Sequence, residues 1–248
     1  MNIENYLNSL PYNIESLNLS NKNLTYLPNI NKFIYLTCLY CNDNKLTSLP
    51  KLPNSLKYLY CSNNQLSSLK DLPENLEILY CYDNKLNSFD YIPNNLKELY
   101  CSKNQITFIL NIPKSLEILI CNNNKLKYLP NLSDNLTYLY CNNNQLTYLP
   151  TLPKNLKYLY CNNNKLVYLP ELPEKIERIQ FKNNIIYQII NNTNIEIIKT
   201  KLKIIKNFHK IFYFIKLKNY INNYKKNFTY EEKNDFYNYN YFINFLNK

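Results

Sequence analysis

The chain has 248 residues, a formal net charge of +11 and no glycine, so neither a G-x-G-x-x-G nor a G-x-x-x-x-G-K-[ST] phosphate cradle can form, and nucleotide enzymes of those designs are excluded. Alanine is also absent and Val167 is the single valine, while 48 positions are Asn, 28 Lys and 26 Tyr. Ala and Gly need GC-rich codons, and Asn, Lys, Ile, Tyr and Phe use AT-rich ones; the bias reads as AT-rich coding, and part of the +11 is a codon effect before it is a statement about anionic partners.

The chain starts Met1-Asn2-Ile3-Glu4-Asn5-Tyr6, without a basic segment leading into an apolar run, so no secretory signal is expected. Residues 1–13 are read as an N-terminal cap segment. Eight cysteines in such a chain favour a reducing compartment, where they stay thiols. From residue 14 to residue 190 a period takes over. Cysteines stand at 41, 61, 81, 101, 121, 141 and 161, with Phe181 in the next place. Leu36 to Leu156 and Ile176 precede them by five residues, Leu39 to Leu159 and Ile179 by two. Asparagine follows at 44, 64, 84, 104, 124, 144, 164 and 184. The unit LxxLxCxxNxLxxLPxLPxx is complete in Leu156 to Lys175, and a divergent copy with Ile14, Leu17, Leu19 and Leu24 precedes the series at a 22-residue step.

A step of this size marks a solenoid, in which each unit buries its apolar side only against its neighbours. Leu at position 4 and Cys at position 6 alternate along a short strand and point inward, and the residue between them points out. Stacked units place nine such strands in one parallel sheet. The prolines of LPxLP hold the return path extended, since proline fixes φ and blocks regular helix. In the unit at Leu56, the inward set is read as Leu56, Leu59, Cys61, Leu66, Leu69 and Leu72. The asparagine column is read as structural: a buried amide has two donors and one acceptor for turn backbone groups that the ladder leaves free.

The unit resembles the leucine-rich repeat, specifically the short twenty-residue LPxLP type of bacterial effector proteins, and its vocabulary is similar to that of repeat proteins of giant viruses of amoebae. The resemblance implies an α/β-type horseshoe with a parallel β-sheet on the concave face, an extended or polyproline-like convex side, nine repeats over 14–190 and a C-terminal helical cap. It also implies protein binding as the activity. Some effectors of this type carry a ubiquitin-ligase domain with a cysteine nucleophile after the repeats. Here no cysteine follows Cys161 and 58 residues, 191–248, follow the repeats, too few for that domain, so an adaptor in ubiquitin transfer is the most this likeness implies.

The cysteine column reads as compact buried apolar groups. Cys38 and Cys41 form a nominal CxxC, but residues three apart on a strand face opposite sides and cannot chelate one ion. His209 is the single histidine, and no Ser-His-Asp or Cys-His spacing occurs. No catalytic residue, metal, cofactor or small-molecule substrate is therefore expected. Positions 2, 3, 5, 7 and 8 project from the concave side. Position 5 carries Tyr40, Tyr60, Tyr80, Tyr100, Ile120, Tyr140, Tyr160 and Gln180; position 3 carries Cys38, Tyr58, Ile78, Glu98, Ile118, Tyr138, Tyr158 and Arg178. Tyrosine with asparagine and serine is the composition of adaptable binding surfaces, although stacked tyrosines also stabilise a sheet. Tyr58, Tyr60, Tyr80, Tyr82, Tyr100, Tyr138, Tyr140, Tyr158, Tyr160 and Arg178 are the candidate contact residues for a protein partner.

Residues 191–248 break the period and carry 11 basic against 4 acidic residues, whereas residues 1–190 carry 18 against 14. The spacing predicts an amphipathic helix from about Ile195 to Tyr224 and a second from Thr229, where Thr229-Tyr230-Glu231-Glu232 fits a capping box. They are read as a cap over the last repeat, covering Ile179, Phe181, Ile186 and Ile189. The alternative reading is a basic segment that binds an anionic membrane surface or nucleic acid. The most apolar stretch, 195–217, holds six lysines, too many for a bilayer span. The expected location is intracellular and cytoplasmic, in the host cytoplasm if the source is viral.

Overall fold

The computed structural model describes residues 2–89 and 91–207. A first compact unit extends to Lys201, and a second begins at Leu202. The predicted segment beyond residue 207, with His209 and the second helix, lies outside the described residues.

The first unit is a stack of turns built on one nine-stranded parallel sheet: β1 (Ser16–Asn18), β2 (Cys38–Tyr40), β3 (Tyr58–Tyr60), β4 (Ile78–Tyr80), β6 (Glu98–Tyr100), β8 (Ile118–Ile120), β9 (Tyr138–Tyr140), β10 (Tyr158–Tyr160) and β11 (Arg178–Gln180). Every pairing keeps the repeat register, so Leu39 lies beside Leu59, Leu59 beside Leu79, and Leu159 beside Ile179. Each strand is three residues long with its central residue buried, which is the alternation expected of a sheet with one face on the core. Behind it, the position 1 and 11 residues and the seven cysteines in period are fully buried through the middle of the stack. Burying one such leucine contributes about 1.5–3 kcal/mol, and the sum requires the neighbouring turns.

The asparagine column binds these turns together. Asn144 Oδ1 accepts from Leu126 N at 3.0 Å, and its Nδ2 donates to Cys121 O, Cys141 O and Asn142 O at 3.0, 3.2 and 3.2 Å. The same pattern recurs from Asn64 to Asn164. One amide thus joins each turn to the previous one and closes its own turn.

Three features depart from the plain period. On the convex side, β5 (Ser88–Phe89) and β7 (Phe108–Ile109) form a small second sheet. They precede Asp90 and Leu110, where four other turns carry Pro50, Pro130, Pro150 and Pro170; proline cannot donate to a ladder, so its absence permits the pairing without compelling it, since the turn with Lys70 also lacks proline and forms no such strand. Leu69 is half-buried rather than inward, beside Lys70 and Asp71. Finally, residues expected to be extended at the last turn form α2 (Ile185–Ile190), which buries Ile186 and Ile190 and leaves Ile189 half-exposed. Helical spacing puts positions four apart on one face, so Ile190 takes the inward place assigned to Ile189.

The N-terminal segment contains α1 (Ile3–Ser9), whose Asn2 side chain accepts from Asn5 N at 3.1 Å and whose Ile3 and Leu7 are buried. Lys32 Nζ fixes its end by donating to Leu7 O at 2.8 Å while lying 4.9 Å from the Phe33 ring centroid. A helix α3 starts at residue 195 and continues to 207, the last described residue. Asn194 caps it, accepting from Glu196 N and Ile197 N. Ile198 is fully buried, and Lys201 Nζ donates to Ile190 O at 2.6 Å.

Candidate interaction surface

Positions 3 and 5 flank the buried centre of each strand, so their side chains stand on the outer, concave side. Cross-strand register brings the tyrosines into two runs. Tyr40 stacks on Tyr60 and Tyr80 on Tyr100, with centroids 4.6 and 4.0 Å apart, and the two pairs meet at a tilted Tyr60–Tyr80 contact of 5.0 Å and 38°. Beyond Ile120, Tyr140 stacks on Tyr160 at 4.5 Å and Tyr138 on Tyr158 at 4.8 Å, with interplanar angles of 9° and 4°. Tyr138 meets Tyr140 edge-on. Stacked rings cover each other's faces, so this surface presents ring edges and hydroxyls. Two hydroxyls are held by carboxylates: Tyr100 donates to Glu98 at 3.1 Å and Tyr158 to Glu177 at 2.6 Å. Tyr58 is half-buried within the sheet, Tyr82 is exposed just outside it, and Arg178 is exposed on the last strand.

Five of the phenols are shifted toward the protonated form. Burial raises Tyr60, Tyr100 and Tyr140 above the ordinary phenol range, the hydrogen bond to Glu177 raises Tyr158, and a hydrogen bond with the Cys38 side chain pushes Tyr40 up to about 12. All are hydrogen-bond donors at neutral pH. Around them the charges balance. Over positions 2, 3, 5, 7 and 8 of the eight units from Thr37 to Asn183 there are six basic and six acidic residues. Several are paired: Glu77 lies between Lys57 and Lys97 at 3.6 and 2.7 Å, and Lys157 meets Glu177 at 3.2 Å.

Residues 134–174 match leucine rich repeats (2 copies), and residues 55–74 match the leucine rich repeat. The fold is a leucine-rich-repeat solenoid. Among solved structures, YopM, a leucine-rich effector protein from Yersinia pestis, is 35% identical over 70% of this chain and 49% of its own, with a TM-score of 0.66. YopM from Yersinia enterocolitica WA-314 is 33% identical over 65% of this chain and 40% of its own, with a TM-score of 0.53. The functional domain of InlJ from Listeria monocytogenes, which includes a cysteine ladder, is 29% identical over 69% and 47%, with a TM-score of 0.51. The solenoid thus spans less than half the length of each of these structures. No match is found among curated proteins.

The leucine-rich-repeat solenoid has its own cysteine column, and it is chemically quiet. Burial pushes the Cys41 and Cys121 thiols up to about 12 and holds Cys61, Cys81, Cys101 and Cys141 well above the ordinary thiol range. A protonated buried thiol is a poor nucleophile and metal ligand. Cys38 alone is half-exposed, opposite in direction to buried Cys41, as two residues three apart on a strand require. Among the described residues no group of three His, Cys, Asp or Glu side chains converges on a metal position. On the convex side of the solenoid, an open groove of about 640 Å³ is lined by Leu110, Leu129, Pro130, Tyr148, Pro150 and Tyr168, away from the tyrosine columns.

Positions 7 and 8 differ from the expectation that they are free for recognition. Position 8 is the left-handed residue of every turn: Asp43, Asn63, Asp83, Lys103, Asn123, Asn143, Asn163 and Asn183 have φ between 53° and 57°. Asn and Asp tolerate this region best among residues with a Cβ, so in a chain without glycine they take its place. At position 7, Asn142 N donates to Asn122 Oδ1, Asn162 N to Asn142 Oδ1, and Lys182 N to Asn162 Oδ1, each at 2.8 Å. Ser62 is buried, not projecting. Much of the asparagine on this face is therefore already engaged between turns. The recurrence of Asn or Asp one residue before the buried Asn was the signal for this in the sequence.

Proposed function

We propose that the solenoid is a non-enzymatic interaction scaffold that binds a protein partner through its concave face, with the ten candidate residues named above as the contact set. The observation that carries this reading is the rigid, charge-balanced sheet of stacked tyrosines. Tyrosine supplies a large contact area with little side-chain freedom to lose, together with a hydroxyl donor. A face with equal numbers of acids and bases lacks the positive potential that phosphate backbones require, which favours protein over nucleic acid on this side. The description of YopM as an effector protein supports an effector-like role for this chain, in the cytoplasm of a host cell. Among the described residues no helix is long and apolar enough to cross a membrane. The AT-biased vocabulary supports a further likeness to repeat proteins of giant viruses of amoebae.

Replacing Tyr138, Tyr140, Tyr158 and Tyr160 together by Ala tests the face. Capture from the native host should lose the partners seen with the unaltered protein while the far-ultraviolet spectrum stays that of the folded solenoid. An unchanged set of partners overturns the reading. We further propose the division into a cap at 1–13, nine repeats over 14–190 and a capping region at 191–248. The burial of Ile198 and the Lys201 bond to Ile190 O support it. Removing 195–248 should render the repeats insoluble; a soluble, cooperatively folding truncation would instead favour a separate basic binding element for membranes or nucleic acid.

A further inference from the structure

The tyrosine column is interrupted at one strand near the middle of the sheet. Register places Ile118 between Glu98 and Tyr138, and Ile120 between Tyr100 and Tyr140. Isoleucine reaches less far from the sheet than tyrosine, so β8 forms the floor of a notch. Its walls are the Tyr100 ring and Glu98 on one side and Tyr138 and Tyr140 on the other. Two strand steps separate the walls, roughly 9–10 Å, about twice the 4.0 to 5.0 Å centroid spacing of the stacked pairs. That is room for one planar group in the place where a tyrosine ring would complete the column.

The chemistry of the walls selects among planar groups. Within each run the ring faces meet another ring, but the faces of Tyr100 and Tyr140 that look along the sheet over Ile120 meet only a side chain of lesser reach. Aromatic faces attract cations through the ring quadrupole, and guanidinium is both flat and weakly hydrated. The carboxylate of Glu98 stands at the rim, fixed by the Tyr100 hydroxyl on Oε2 at 3.1 Å, with Oε1 left to accept a further bond. Among the described residues, the ion pairs of this face engage Glu77, Asp83 and Glu177, and none engages Glu98 or the neighbouring Glu117. The notch is thus an acidic, aromatic-walled spot within a face whose total charge is balanced.

We infer that the notch over Ile118 and Ile120 is a receptor for one arginine side chain of the protein partner, stacked between Tyr100 and Tyr140 and paired with Glu98. The inference rests on the concave-face reading and adds the residue type that anchors the partner.

The test uses the full chain with its isoleucine methyl groups labelled for NMR and three small probes: Nα-acetyl-arginine amide, its neutral isostere Nα-acetyl-citrulline amide, and Nα-acetyl-lysine amide. The arginine probe should shift the Ile118 and Ile120 methyl signals in a saturable way, with the other two weaker by about tenfold, the size of one lost charged stacking contact. Glu98→Gln should weaken the arginine probe about three- to tenfold. Ile120→Tyr completes a column that the same fold already carries in neighbouring strands, so it keeps the fold and should abolish the response at Ile118. Equal shifts from the citrulline probe, equal shifts from the lysine probe, or a response that survives Ile120→Tyr each overturn the proposal. Partner capture separates this failure from that of the broader reading. If capture is lost on the fourfold tyrosine substitution but unchanged by Ile120→Tyr, the face binds and the arginine notch falls. If neither substitution alters capture, both fall.

Discussion

Two columns run the length of the same sheet, one on each side of it, and they are held to different standards. Behind the sheet, asparagine recurs at position 9 in eight successive turns from Asn44 to Asn184. In front, tyrosine at position 5 gives way to Ile120 and Gln180. The difference follows from what each side chain must satisfy. An amide such as Asn144 serves one backbone N–H and three carbonyls in two turns, and any replacement strands buried polar groups. A tyrosine in front loses one stacked neighbour and gains solvent.

The comparison can be broken most sharply with thiol chemistry. In the native protein one thiol of eight, Cys38, should react promptly with a disulfide reagent, and the seven buried ones only as fast as the protein unfolds. Prompt labelling of several thiols would show that the inner side is open. Next in size, Asn144→Ala should lower stability by about 1–3 kcal/mol, seen as a fall in melting temperature of roughly 3–10 °C. A curve that does not move would place the column's role elsewhere. In the opposite direction, Lys103 occupies the left-handed position that Asn or Asp fills in the other turns. Lys103→Asn should therefore stabilise by about 0.5–1 kcal/mol, a rise of roughly 1–4 °C, and a loss of stability would count against the strain argument.

The smallest effect belongs to the concave ion pairs. The hydrogen bond from Lys97, with Lys57 on the other side, holds the Glu77 carboxyl below the usual carboxylate range. Its folded pKa is the lower one, so its contribution is present above the unfolded value near 4.5 and disappears as pH falls through the folded value. Glu77→Gln should flatten the stability profile in that acidic window by under about 1 kcal/mol, since the lysines are half-exposed. Acid unfolding profiles of the two proteins would show the change, and parallel profiles would remove Glu77 from the account.

The period made the sheet, its register and the inner columns legible, because side chains that recur every twenty residues can satisfy one another only when stacked. What escaped the sequence reading was local. Ile3 and Leu7, one helical turn apart behind the capping Asn2, marked α1, yet the segment was too short for periodicity to stand out. Asp90 and Leu110 in place of proline allowed a convex pairing that depends on two adjacent turns at once. Position 8 reads as surface because asparagine is common everywhere in this chain; its conformational role shows only in the backbone angles. At the candidate face, the identity of the tyrosines could be read directly, but their sealed ring faces and the gap over Ile120 depend on cross-strand distances.

The uniform left-handed turn carries a consequence for how such a chain can change its length. Because each turn starts and ends in the same backbone geometry and offers the same amide contacts upstream and downstream, a whole unit can be duplicated or lost without misfit at the junction. A duplication before β8 or after it would leave the notch intact and change its distance from one end of the solenoid, so copy number would tune the position of the proposed receptor while leaving its lining unchanged.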